Sequence, residues 1–199
     1  DVTPWLQKQL RALPDQFNVM GFSLGVILAL RMIELAPERV QCLVLVAGNA
    51  SAGTTAHRER ARTQMQIWQR EGPQTLAQQM IDQASPQASQ NPMVRQTVLQ
   101  MANDTPEAAF IAQSEVNVSR PDGLNTLSNW HGPLLLVSGA NDPWCGADKQ
   151  NLMQSARPDA QWHEFAECGH YIPLERPSEL AQLTHRFLQE HKSNQRHRA

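Results

Sequence analysis

Cysteine is scarce in this 199-residue chain, with Cys42, Cys145 and Cys168 its only three. An odd number at irregular spacing excludes a disulfide scaffold and fits a reducing compartment, so a cytoplasmic location is expected. Long apolar runs are missing too. None reaches the ~18 residues that a membrane helix requires, and no stretch reads as a secretory signal. No membrane partner is therefore expected. Neither sign of charge dominates: the formal net charge is −2 and the charged residues are scattered. That leaves no surface suited to nucleic acid or to an acidic substrate. The one basic cluster, "KSNQRHRA", ends the chain and reads as a frayed, solvated tail. His57, His131 and His163 stand at no metal-ligand spacing among themselves or with the acids, so no metal and no cofactor are expected. A small-molecule substrate is the one partner anticipated, and the oligomeric state is not legible. The first residue is Asp1 rather than Met, so the natural start is expected to have been removed or to lie upstream.

What is present is organised. The length suffices for one domain with a sizeable insertion. "TPWLQKQLRALPD" spaces Trp5, Leu6, Leu10 and Leu13 as a helix with Pro4 in its first turn. "FNVM" predicts a short strand, and "LGVILALRMIEL" a helix apolar almost all round, with Arg31 and Glu34 meeting solvent. Pro37 ends it. "VQCLVLVA" and "PLLLVSG" are continuous apolar runs of the kind found in parallel strands covered on both faces. "AQWHEFAE" is a third run, separated from the second by the helix "ADKQNLMQSA". A last amphipathic helix starts near "RPSEL", carrying Leu180, Leu183, Phe187 and Leu188. Alternating strand and helix predict an α/β fold with right-handed crossovers.

Residues from about Thr54 to Asn129 differ. They are rich in Gln, Ala and Met, hold no strand-like run, and break at Gly72-Pro73, at "SPQASQNP" and near Thr105-Pro106. Helical spacing of Leu76 with Met80, and of Val94, Val98 and Met101, predicts three or four helices. Met65, Met80, Met93 and Met101 are expected to form the core of this insertion, with some of them facing the site as an adaptable apolar lid.

Candidate chemistry centres on "MGFSLG". Ser23 lies between Gly21 and Gly25, where a strand turns directly into a helix. A serine hydroxyl is a weak nucleophile until a base and an orienting group are brought to it. Here the turn pushes Oγ out above the sheet, while the glycines let strand and helix approach closely. The helix N-terminus aims free amides at the same spot, and the backbone amide of Leu24 is the predicted oxyanion donor. Asp142, in "GANDPW", follows a strand at its carboxyl end, where open α/β sheets bind ligands. His170, in "ECGHYIPLERP", follows the next strand. Phe22 beside the serine, and Trp144 and Cys145 after the acid, could line the substrate pocket or simply pack. Cys168 has no base paired with it and reads as a small loop residue.

The order Ser23, Asp142, His170, each after its own strand, resembles the α/β-hydrolase superfamily. The resemblance spans "GFSLG", "VQCLVLVAG", "LLLVSGANDPW" and "CGHYIPLERPSEL", and is strongest to small bacterial esterases, carboxylesterase-like enzymes and enol-lactonases. It implies a doubly covered parallel sheet with a helical cap, with Ser23 as nucleophile, Asp142 as acid and His170 as base. It places core carrying the nucleophile at 1–52, the cap at 53–130, core carrying the acid and histidine at 131–192 and a tail at 193–199. Relatives commonly have a second glycine after the elbow, where this chain has Val26. The family also has four strands and a helix ahead of the elbow, including the loop that gives the second oxyanion amide. Only about twenty residues precede Ser23, so the chain is expected to represent the C-terminal half of that sheet, with an uncovered edge that favours self-association. The implied activity is hydrolysis of a small ester, lactone or thioester, with an apolar acyl group suggested by the Met-rich cap. Carbon–carbon bond hydrolysis or cofactor-free perhydrolysis on the same triad, and a ligand-binding protein without turnover, are the rival expectations.

Overall fold

A computed structural model describes residues 2–85 and 88–196. Four strands form one parallel sheet in the order β1-β2-β3-β4: β1 Phe17–Phe22, β2 Val40–Val46, β3 Leu134–Gly139 and β4 Gln161–Phe165. Each begins within a residue or so of an apolar run picked out by sequence. The reason lies in β2 and β3, which are covered on both faces. Leu43, Leu45, Leu134 and Leu136 point to one face, where they meet Ala29, Leu30 and Ile33 of α2 (Leu24–Leu35) and Met153 of α8 (Ala147–Ala156). Cys42, Val44, Val46, Leu135 and Val137 point to the other, against Ile172 of the short α9 (Ile172–Glu175) and Leu180 and Phe187 of α10 (Pro177–Arg196). A strand with no solvent face has no polar alternation, hence the continuous runs. Truncating one of these leucines to Ala would cost about 2–5 kcal/mol. Helix α1 (Thr3–Ala12) packs on α2 through Leu6 and Leu10, leaving Trp5 and Leu13 in solvent.

Strand β1 lies at the sheet edge, with no partner on its outer side among the described residues. Asn18 and Met20 are exposed there. Helix α10 runs on through Lys192 to Arg196, the first part of the segment read as a tail. His197 to Ala199, and Pro86 and Gln87 of the break read at "SPQASQNP", lie outside the described residues.

Among the described residues five α-helices, not three or four, connect β2 to β3: α3 Thr55–Glu71, α4 Pro73–Ala84, α5 Pro92–Asp104, α6 Glu107–Ser119 and α7 Leu124–Asn129. The extra one, α7, has fewer than two turns, too few to show a period. It also belongs elsewhere: Leu127 and Trp130 are buried in the sheet core beside α2 and α8. The boundary read at 130 therefore assigned to the cap a stretch that packs with the sheet. Ends of the other helices follow local chemistry. Thr54 caps α3 through a reciprocal box with His57, Asn91 caps α5, and Gly72 at φ 89° with Pro73 breaks α3 from α4. A small core of Ala77, Ile81, Val94 and Val98 joins α4 to α5, and Tyr171 and Leu174 pack against it. The methionines do not form it. Met93 is 76% and Met101 56% exposed, because the buried stripe of α5 runs through Val98, Leu99 and Ala102 and turns Met101 outward.

Candidate active site

Ser23 is the N-cap of α2 and holds φ 51°, ψ −112°, a conformation a non-glycine residue adopts only at a cost of about 1–3 kcal/mol. Two contacts enforce it. The Ser23 amide donates to Val46 O at 2.9 Å, extending the sheet, and Val26 N donates to Ser23 O at 3.0 Å, closing the turn into α2. Gly21 is required by the same geometry, since a Cβ there would stand 2.5 Å from the carbonyl oxygen of Gly25. Gly25 is different: a Cβ there meets nothing within 4 Å. One of the two elbow glycines permits the close approach; the other does not need to be glycine for room. Val26, in place of a family glycine, is fully buried, and its side chain occupies the space a Cβ on Gly48 would need, 2.3 Å from Val26 Cγ2.

The loops after β3 and β4 bring the other two predicted residues to Ser23. Asp142 Oδ1 accepts from the amides of Trp144 at 2.8 Å and Cys145 at 3.0 Å, which fixes the carboxylate. Its Oδ2 lies 2.8 Å from His170 Nδ1, and His170 Nε2 lies 2.8 Å from Ser23 Oγ. The Asp142 side chain is wholly buried and that of His170 nearly so. An Nδ1–H donated to the acid leaves Nε2 as the acceptor facing the serine hydroxyl. Phe22, Trp144 and Tyr171 surround the imidazole with ring centroids 5.4, 5.0 and 5.8 Å away. Leu24, first residue of α2, lines the cavity beside Ser23, and its amide is one of those a helix start leaves without an intrahelical acceptor.

The His170 loop is also tied to the helical segment. His170 N donates to Ala84 O at 2.9 Å and Tyr171 N to Ser85 Oγ at 3.2 Å. Ser85 Oγ in turn donates to Glu175 Oε1 at 2.6 Å, while Glu175 Oε2 accepts from Gly169 N at 2.9 Å. None of this has a sequence signature, because Ser85 and Glu175 are 90 residues apart.

Asp142, Cys145 and His170 could offer three ligand atoms within 4.8 Å of one another, so cation binding needs a chemical test. Both oxygens of Asp142 already accept hydrogen bonds, and Nδ1 of His170 is engaged with one of them. Burial, helped by the charge of Asp142, pushes the Cys145 thiol up to about 12, so it stays protonated. This donor set does not fit a metal ion. Cys168 is likewise pushed up to about 12 by burial and then by Glu175, which suits an inert loop residue.

A cavity of about 240 Å³ opens over Ser23 and His170. Trp144 and Cys145 line it; Phe22 does not, and packs beneath the imidazole instead. The expected methionine lining is corrected, since only Met80 of the four reaches the cavity. Beside the apolar Ile27 and Phe110, its other walls carry a set of polar side chains: His57, Arg60 and Gln64 from α3, Gln113, Ser114 and Asn117 from α6, and Arg120 at the end of α6. The sequence reading missed these residues. On α3 their spacing was the only signal, and a polar stripe on a helix ordinarily faces water.

Comparison with known proteins agrees with the fold. A model described as the alpha/beta hydrolase family matches residues 1–183. The pimeloyl-[acyl-carrier protein] methyl ester esterase of Nitrosomonas europaea is 30% identical over 178 residues, covering 84% of this chain and 69% of that protein. A 2-hydroxy-6-oxononadienedioate/2-hydroxy-6-oxononatrienedioate hydrolase of a Pseudomonas species is 24% identical over 189 residues, covering 86% and 62%. The chain thus spans about two thirds of the length of these relatives. Among solved structures, a thermophilic esterase from Thermogutta terrifontis, with malate bound, superposes with a TM-score of 0.82 at 23% identity, covering 92% of this chain and 68% of that one. The parallel sheet, the strand-end positions of Ser23, Asp142 and His170, and the match along nearly all of the chain lead to one assignment: the chain belongs to the alpha/beta hydrolase family.

Proposed function

We propose that the chain is a serine hydrolase acting on a small carboxylic ester, lactone or thioester. The observation that carries this reading is the continuous relay from Ser23 Oγ through His170 to Asp142, with both links at 2.8 Å. In the proposed cycle Ser23 Oγ attacks the carbonyl carbon while His170 Nε2 takes its proton. Asp142 holds the imidazole in the Nδ1–H tautomer and stabilises the imidazolium that forms. The tetrahedral oxyanion receives the Leu24 amide, a donor of a kind worth about 2.7–4 kcal/mol in the transition state. Collapse expels the alcohol, protonated by His170. Water then repeats the sequence on the acyl-enzyme to release the acid and restore Ser23.

Helices α3–α6 act in this reading as a cap over the nucleophile, narrowing the cavity to a small substrate. The methyl ester esterase among the relatives supports an ester as the reacting group. Carbon–carbon bond hydrolysis on the same relay is the second reading, supported by the oxononadienedioate hydrolase relative. Three free cysteines support a reducing, cytoplasmic setting. Among the described residues no helix is long and apolar enough to cross a membrane.

A fluorophosphonate probe tests the mechanism. The native protein should be labelled on Ser23, and Ser23→Ala should not be labelled at all. Assays with p-nitrophenyl esters, lactones and vinylogous diketones then separate the two readings. A folded protein that ignores the probe and turns over none of these is not a serine hydrolase.

A further inference from the structure

Arg120 is 7% exposed, yet no carboxylate among the described residues pairs with it. Its Nε donates to Ser51 O at 2.8 Å and Nη1 to Asn117 O and Oδ1 at 2.5 and 2.6 Å, all neutral acceptors. These bonds aim the guanidinium but do not neutralise it. A buried charge without a counter-charge costs several kcal/mol unless something compensates.

The remaining nitrogen, Nη2, lies 3.3 Å from His57 Nε2. The state of His57 is set by its capping role. Its Nδ1 accepts from the Thr54 amide at 3.0 Å and lies 2.8 Å from the Thr54 hydroxyl, which itself accepts from the His57 amide. An acceptor at Nδ1 places the ring proton on Nε2. Two donors, Arg120 Nη2–H and His57 Nε2–H, therefore confront each other with no acceptor between them. The same wall carries Arg60, and among the described residues no Asp or Glu lines the cavity. The local field is positive: burial first, then Arg120, Arg60 and Lys149, make His57 harder to protonate.

We propose that Arg120 and His57, with Arg60 at the mouth, form a subsite for a carboxylate on the non-reacting end of the substrate. This rests on the hydrolase reading of the same cavity and narrows its substrate class to esters, lactones or thioesters of dicarboxylic acids. A carboxylate would accept from both confronting donors at once and supply the charge that Arg120 lacks. The cavity is small, so anion and reacting carbonyl belong to one short molecule.

The test compares mono-p-nitrophenyl glutarate with p-nitrophenyl pentanoate, esters of equal chain length that differ in one terminal carboxylate. The native protein should favour the anionic ester by about tenfold or more in kcat/KM, the scale of one charge-assisted hydrogen bond. Arg120→Met should bring the ratio close to one. Because Arg120 also ties α6 to the loop after β2, His57→Leu serves as a second variant that keeps those ties, and it should lower the ratio as well. A ratio at or below one in the native protein, or a preference that survives both substitutions, overturns the proposal. If neither ester is turned over, calorimetry on Ser23→Ala decides independently of catalysis. Glutarate bound at least about tenfold tighter than neutral glutaramide, with the difference lost in Ser23→Ala/Arg120→Met, upholds the subsite and places the fault in the hydrolase reading. Equal or absent binding of the two overturns the subsite.

Discussion

Strands β2 and β3 and helix α3 all bear on the same cavity, yet they are held in place by opposite means. All residues of β3, and all but Gln41 of β2, are buried, packed on both faces. Helix α3 is 17 residues long and buries none of them fully. Its hold on α6 comes from Trp68 stacked on Phe110 at 4.3 Å and a Gln69–Glu107 hydrogen bond at 3.1 Å. The sheet side carries Asp142 directly after β3 and ties the other two positions to the central strands through backbone, Ser23 N donating to Val46 O at 2.9 Å and Asn141 N to Cys168 O at 2.9 Å. The helical side supplies His57, Arg60 and Gln113 from surfaces with little burial behind them. In the proposed reading, reactive groups anchored to the sheet and substrate contacts on the lightly packed helices would let recognition vary while the relay stays fixed.

The sharpest way to break this contrast is at Ser23. Ser23→Ala should lower kcat by about 10⁴-fold or more while leaving the thermal midpoint nearly unchanged. Ser23→Gly should be equally inactive but more stable than Ser23→Ala by about 1–2 kcal/mol, since glycine takes positive φ without strain. Equal stability of the two variants in urea titrations would show that the turn stores no strain. Next in size comes the elbow glycine pair. Gly21→Ala should destabilise by about 1–3 kcal/mol, because its Cβ meets backbone that must move. Gly25→Ala, in the first turn of α2 with open space around it, should be neutral or stabilising by up to about 1 kcal/mol. Denaturant midpoints of the two variants check this directly.

How much of each region was legible follows from the same contrast. Val40–Val46 and Leu134–Gly139 announce themselves because double-sided burial demands unbroken apolar runs. Asp142 could be picked out because it follows such a run, and Ser23 and His170 because each follows a shorter strand in a recognisable turn, "GFSLG" and "ECGHY". The helical segment gave its breaks, at Gly72-Pro73 and Thr105-Pro106, since those are local chemistry. It did not give its lining. Periodicity says that α3 has a polar face, but whether that face meets water or a cavity depends on where α6 packs. Arg120 in "SRPDG" has no local mark at all, as its burial arises from Ser51 and Asn117 folding around it. Leu127 and Trp130 were placed with the wrong neighbours for a similar reason: a six-residue helix carries no period to assign it.

Ser85 joins the two regions, and its removal should have an intermediate effect. In Ser85→Ala the amide of Tyr171 and an oxygen of Glu175 lose their partner in a buried setting, at a cost of about 1–3 kcal/mol. As a positioning residue for the His170 loop it should lower kcat with little change in KM, and Ser85→Thr should recover part of the loss. A change in KM alone would mean that the junction holds the cavity wall rather than the imidazole. Hydrogen exchange gives a further check, with amides of α3 exchanging well before those of β2 and β3.

The smallest effect belongs to the thiols, and it separates burial from reactivity. Cys145 and Cys168 are both pushed from 9.0 up to about 12, mainly by burial, in the folded chain. Unfolding returns them to ordinary values, so between pH 9 and about 12 the unfolded chain binds fewer protons than the folded one. Their contribution to stability is then full below pH 9 and declines as pH rises through that window. Urea midpoints measured from pH 8 to pH 10.5 should fall, and Cys145→Ala/Cys168→Ala should flatten part of that fall. Iodoacetamide at pH 8 should leave both thiols unlabelled in the native protein and modify them on unfolding. Labelling of the wholly buried Cys168 in the native state would show that the loop after β4 opens, and with it the placement of His170 on which the proposed relay depends.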